Sequence, residues 1–190
     1  HLTKCHWQMH TILIIESQSL NSGHDMDNHW QAVSIGMGLN PLIVPQSTLG
    51  LLSNLSSTDA LILSSGLIYL PPSYLQTVRD FVLNGGPVYI QSEFNATHPG
   101  SITFDSLMIA VEADFHWNLT VSGDLNPMMI LGDLSTTPNN ITSLDYFWWG
   151  VHGEGEGVEP FLEYNGHYFG FCYVDHNSQN GTIITTSDQD

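Results

Sequence analysis

The chain has 190 residues, with 19 acidic and 2 basic side chains and a formal net charge of −17. Such a charge repels phosphate backbones and so argues against nucleic acid as a partner, and it leaves only Lys4 and Arg79 to clamp a phosphorylated cofactor. Apolar runs fall short of the roughly 18–20 residues a membrane helix needs, which argues against insertion, and the length suits one domain over 1–190. Charged residues are only 11% of the chain, so the polar surface is mostly Ser, Thr, Asn and Gln, as suits an extracellular or cell-surface protein.

Residues 1–10 form a His-rich arm with His1, His6 and His10, either loose or docked on a neighbouring protomer. "TILIIE", residues 11–16, is an apolar run of strand length, as expected for a strand buried on both faces. Beyond the polar loop, Met26, Trp30, Val33 and Met37 recur at helical spacing and predict the buried face of a helix, capped by Ser22 or Asp25 and ended near Gly38. "PLIVP", 41–45, is a second strand, with a short helical segment over 49–55. "ALILSS", 60–65, is a third. Pro71 and Pro72 open a helix with Leu75, Val78 and Val82 on one side, closed by Asn84-Gly85-Gly86. "PVYIQSE", 87–93, is strand four. Phe104, Leu107, Met108 and Val111 mark a further helix. After about residue 114 the chain turns aromatic and β-prone, with an Asn165-Gly166 hairpin turn and a last strand over 182–187.

Alternating buried strands and amphipathic helices predict an α/β fold. It is flavodoxin-like and doubly wound, with a mainly parallel sheet, helices on both faces and a C-terminal antiparallel β-hairpin extension. The organisation expected is an arm over 1–10, a β/α core over 11–113 and a β-rich completion over 114–190, within a longer chain.

In such sheets ligands bind at the carboxyl ends of the strands. That rule gathers Glu16, Ser17, Gln18 and His24 after strand one, Ser64 and Ser65 after strand three, and Gln91, Ser92 and Glu93 after strand four. Asp188 and Asp190 join them if the last strand is parallel. Asp25, Asp27, Asp188 and Asp190 are hard oxygen donors suited to a divalent cation such as calcium, although acids at a helix start also serve as caps. No other cofactor is implied. Glu16 and Glu93 could form an acid–base pair, with Ser92 as a nucleophile. His152-Gly-Glu154 sits in a Gly-rich acidic loop. Tyr146, Phe147, Trp148, Trp149, Tyr168 and Phe169 offer either a sugar-stacking platform or the core of a β-meander. Cys5 and Cys172, the two cysteines, form one bridge or remain two thiols. Sequons stand at Asn54, Asn95, Asn118, Asn140 and Asn180, relevant in a glycosylating compartment.

The stretch "DALILSSG…LPPSYLQTVRDFVLNGGPVYIQSE" resembles class I glutamine amidotransferases and the trehalose-utilisation-like proteins, over about residues 11–93. The resemblance implies the flavodoxin-like fold, a cysteine on a glycine-flanked elbow after such a strand, and a later His-x-Glu. His152-Gly-Glu154 matches the last of these. At the elbow stands Gln91-Ser92-Glu93-Phe94, with neither cysteine nor flanking glycine. More narrowly, "VSGDLNPM", "YFWWG" and "LEYNGHYFGF" look like motifs of secreted or cell-surface bacterial proteins of unknown function, many with a C-terminal sorting domain. That resemblance implies export and further chain beyond residue 190.

The reading that follows is a secreted or surface-exposed structural, assembly or recognition domain without catalysis, partnered by copies of itself (a filament being one such assembly), by other surface proteins or by glycans. The alternative is a carbohydrate- or amide-directed hydrolase using Glu16, Ser92, Glu93, His152 and Glu154, or a glycan-binding module.

Overall fold

The computed structural model describes residues 10–17, 26–93, 96–114, 116–118, 127–136, 138, 140–144, 152–154, 158–174 and 181–187. Four aliphatic runs become parallel strands: β1 (Thr11–Ile15), β2 (Asn40–Val44), β3 (Ala60–Leu63) and β4 (Pro87–Ser92). They lie in the order β2-β1-β3-β4, the flavodoxin-like order expected from the sequence. The next lane is filled by β11 (Thr182–Ser187), parallel to β4 from Thr182↔Pro87 to Ser187↔Ser92.

Beyond β11 the sheet turns antiparallel. β9 (Val158–Tyr164) and β10 (His167–Val174) form the predicted hairpin, with φ of 52° at Asn165 and 82° at Gly166, the left-handed pair a tight I′ turn requires. The sheet continues through β6 (Met128–Ile130) and β7 (Ser143–Leu144). Two short strands, β5 (His116–Asn118) and β8 (His152–Glu154), pair with each other, and β8 also pairs with β10.

Helices α2 (Pro72–Leu83) and α3 (Pro99–Ala110) cover one face. Val78, Val82, Phe104, Leu107 and Met108 meet Leu13, Ile15, Leu61, Leu63, Val88, Ile90 and Ile183 in the main core. Phe104 stands edge-on to Trp117 at 6.4 Å and to Phe171 at 6.0 Å, joining the β/α half to the β-rich half. Arg79, one of the two bases in the sequence, donates to the Ala110 carbonyl at the carboxyl end of α3 (2.8 Å), where the helix dipole favours a cation, and to Asp80. In place of the short helix expected over 49–55 are two 3₁₀ turns, Gln46–Gly50 and Leu52–Leu55, which bury Leu49 and Leu55 under α2.

The other face carries α1 (Asp27–Gly36), and here the sequence expectation fails. Val33 and Met37 are 55% and 71% exposed, while Asp27 and Ser34 are buried and Trp30 packs on Tyr89 at 4.6 Å. The stripe turned to the sheet is 27-30-34. A buried carboxylate anchor at Asp27, described below, fixes the helix rotation, and its hydrogen bonds outweigh the apolar period. The two described residues of the aromatic cluster are core rather than platform. Phe169 is fully buried with Met128, Ile130 and Leu162, and Tyr168 packs against the main core. Tyr146, Phe147, Trp148 and Trp149 lie outside the described residues.

Phe104→Ala should lower the unfolding free energy by about 3–5 kcal/mol, because its site is walled by two aromatic rings. Val33→Ser and Met37→Ser should each change it by less than about 0.5 kcal/mol, the reverse of what the periodicity implies. Urea unfolding monitored by circular dichroism measures all three.

Candidate functional site at the carboxyl edge of the sheet

Strands β1, β3, β4 and β11 end on one edge, so Glu16 and Ser17, Ser64 and Ser65, and Gln91, Ser92 and Glu93 are brought to it. Asp27, in the first turn of α1, reaches across two strand ends. Its Oδ1 accepts a short hydrogen bond from the Ser64 hydroxyl after β3, and its Oδ2 accepts the Ser17 amide after β1 (3.0 Å). Asp27, Ser17 and Ser64 are 6%, 5% and 0% exposed. Burying a carboxylate is costly unless donors meet it, and these two donors make the anchor. Asp27 therefore clamps the ends of β1 and β3 to the start of α1.

The second half of the edge is built from β3, β4 and the start of α3. Glu93, buried, lies across Gly66, so a Cβ at position 66 would overlap its side chain. The Gly100 amide donates to the Gly66 carbonyl at 2.6 Å, and a Cβ on Gly100 would collide with the Gln91 carbonyl and the Gly66 backbone. His98 Nδ1 lies 3.2 Å from the same Gly66 carbonyl. Ser101 exchanges hydrogen bonds with the Glu93 backbone, accepting its amide (3.0 Å) and donating to its carbonyl (3.1 Å). His98, Gly100 and Ser101 were missed by sequence reasoning. The Pro-Gly at the start of α3, shortly after strand four, was the available signal, because only a glycine admits so close a backbone approach.

Ser92 is not poised for attack. Its hydroxyl donates to the Thr186 carbonyl (3.0 Å) and lies 3.2 Å from the Thr185 hydroxyl, inside the β4–β11 seam. One residue inward, Gln91 donates to the Thr186 carbonyl and accepts from Tyr89, whose hydroxyl is 2.5 Å from Gln91 Oε1 and 2.6 Å from Thr186 Oγ1. Burial pushes the Tyr89 phenol up to about 12; the Thr186 hydrogen bond opposes this and the Glu93 charge adds to it.

Glu16 is exposed on the same edge, its amide bonded to the Val44 carbonyl. Tyr168 pairs with Glu163 of β9 on one flank and with Gly153 of β8 on the other, the flank that β11 occupies farther along β10. The backbone of His152–Glu154 therefore reaches the end of the β11 lane, one lane from β4. Gln18, His24, Asp25, Asp188 and Asp190 lie outside the described residues. Among the described residues no group of three or more His, Cys, Asp or Glu is placed to hold a metal ion.

Cys172 is a free cysteine on β10, well away from the elbow position, and burial followed by the charge of Glu159 raises its thiol pKa. Cys5 lies outside the described residues. Of the sequons, Asn54 is exposed but its amide donates to the Thr48 carbonyl at 2.9 Å, Asn140 is exposed, and Asn118 is partly buried on β5. Asn95 and Asn180 lie outside the described residues.

No family model matches the chain, and no curated protein does. Solved structures do. The N-terminal domain of mmIFT52 superposes with a TM-score of 0.65 at 11% identity, covering 93% of this chain and 85% of that one. A GMP synthase component from Thermoplasma acidophilum gives 0.56 at 14%, covering 95% and 84%. A ThuA-like protein from Bacteroides uniformis gives 0.55 at 11%, covering 93% and 80%. The chain thus has a distant, low-identity likeness in fold to flavodoxin-like proteins of the amidotransferase-like and ThuA-like kinds.

Two measurements check the edge. Asp27→Asn, Ser64→Ala and the double variant should show a coupling energy of about 1–3 kcal/mol in a double-mutant cycle. Because the folded-state Tyr89 pKa lies above its ordinary 10.0, the native state holds the phenol proton longer than the unfolded chain does. Stability should accordingly fall between pH 10 and 12, with Tyr89 contributing up to about 1.4 kcal/mol per pH unit. Tyr89→Phe should flatten that part of the stability–pH curve.

Proposed function

We propose that this is a non-catalytic recognition or assembly domain exposed at the cell surface or secreted, built on an amidotransferase-like scaffold. The observation that carries the reading is Ser92. At the strand end where a nucleophile would stand, the hydroxyl is donated to the Thr186 carbonyl and buried in the β4–β11 seam. Asp27 is occupied in holding two strand ends together. These groups act as structural fasteners. The surface supports exposure outside the cell, since it is acidic and otherwise rich in neutral polar side chains, with the Asn140 sequon on it. Its partners on this reading are other copies, surface proteins or neutral glycans. The Tyr168–Phe169 packing favours protein partners over an aromatic sugar platform.

A second reading is favoured by one observation: β8 carries the His152-Gly-Glu154 backbone to the edge where Glu93 and Glu16 stand. On that reading the domain is a carbohydrate- or amide-directed hydrolase with carboxylates and His152 as acid and base. The fold likeness to the GMP synthase component lends it more support than it lends surface exposure.

A panel of p-nitrophenyl glycosides and side-chain amides separates the two. No turnover above that of Glu16→Gln and Glu93→Gln is the expected result. Turnover that falls by about 10²-fold or more in Glu93→Gln or His152→Ala would replace the first reading with the second.

A further inference from the structure

Among the described residues the two faces of the sheet are covered unequally. On the face opposite α2 and α3, strand register aligns a row of side chains from Ile14 through Ile62, Tyr89, Ile184 and Cys172 to Glu159. Ile14 and Ile62 are buried beneath α1, and Trp30 closes over Tyr89. Ile184 and Cys172 belong to no described core cluster and are partly exposed. On the far side, Leu131, Gly132 and Asp133, at the start of the 3₁₀ turn Gly132–Ser135, line a cavity of about 550 Å³ together with Glu159, Phe161 and Cys172.

The result is a trough. Among the described residues its floor is β11 and β10, one wall is α1 with Trp30 over Tyr89 of β4, and the other is the Gly132–Ser135 turn beside β9. From β4 to β9 is three lanes, about 14 Å at ordinary strand spacing, which accommodates one helix of about 10–12 Å diameter. Parallel strands of a doubly wound sheet are ordinarily covered on both faces. The wall is apolar as well. At 100° per residue, Val33 and Met37 continue the α1 surface on the Trp30 side, toward the trough, and both are exposed.

We propose that the trough is a docking surface for an amphipathic helix of a partner protein, apolar toward the sheet and flanked by Lys or Arg. Charge selects this occupant. The rim carries exposed Asp133 and Glu159, and the chain as a whole has 19 acids against 2 bases. A second copy would bring another −17 to the contact, whereas a basic-flanked helix is drawn to it. The surface borders the strand-end edge at Tyr89 and does not depend on whether that edge is catalytic.

The test uses the full chain with Cys5→Ser, leaving Cys172 in the floor as the sole thiol. The probes are a synthetic Leu/Lys amphipathic helical peptide and a Leu/Glu peptide of the same apolar pattern. The Leu/Lys peptide should bind by fluorescence anisotropy and, at ten times its Kd, slow thiol-reagent modification of Cys172 about tenfold. The Leu/Glu peptide should do neither. Val33→Glu, at an exposed helix position, and Ile184→Glu should each lose binding and protection, while Met129→Glu, an exposed apolar site elsewhere, should retain both. Failure of the Leu/Lys peptide to bind, equal binding of the two peptides, equal binding to the Val33→Glu variant, or binding without protection of Cys172 would overturn the proposal. So would concentration-dependent self-association in sedimentation that Val33→Glu abolishes, which would assign the trough to a second copy.

Discussion

The parallel pairing of β11 with β4 is the constraint on which the rest of the molecule depends. It joins segments 95 residues apart, and loop-closure entropy opposes it before any contact offsets the cost. What offsets it is a ladder of six residue pairs, the burial of Ile183, and hydroxyl and amide contacts linking Ser92, Gln91 and Tyr89 to Thr185 and Thr186. With β11 in place, β10 and β9 can extend the sheet. Phe171 and Tyr173 then enter the main core beside Phe104.

The same pairing shapes the edge. Ser92 is drawn into the seam and its hydroxyl is spent there, while β8 is led to the end of the lane that β11 vacates. On the far face, β11 and β10 present Ile184 and Cys172 beside Tyr89 but recruit no described helix above them, so the trough follows from the pairing too. Asp27 is part of the same edge: its carboxylate, set between two strand ends, holds α1 and sets which of its faces meets water.

Most of the architecture was legible in the chain. Continuous aliphatic runs at 11–15, 60–63 and 87–90 cannot be solvated on either face, so they specify central parallel strands. Pro72 and Gly85 bracket α2, and Asn165-Gly166 specifies its hairpin, because each residue restricts or frees φ locally. Of the edge, Glu16, Ser17, Ser64, Ser65, Gln91, Ser92 and Glu93 were located from the strand ends alone. Their directions and partners were not.

Local patterns therefore determined strand and helix identity, the turn and the edge to which polar residues would gather, since each depends on a few neighbouring residues and on burial against water. Tertiary structure alone decided the rotation of α1, the commitment of Ser92 to β11 and the close approach of Gly100 to Gly66. Each of these is a contact between segments distant in the chain. Periodicity carries no information about them, because a hydrogen bond to a buried carboxylate or carbonyl outweighs the small preference of one apolar residue for the inside.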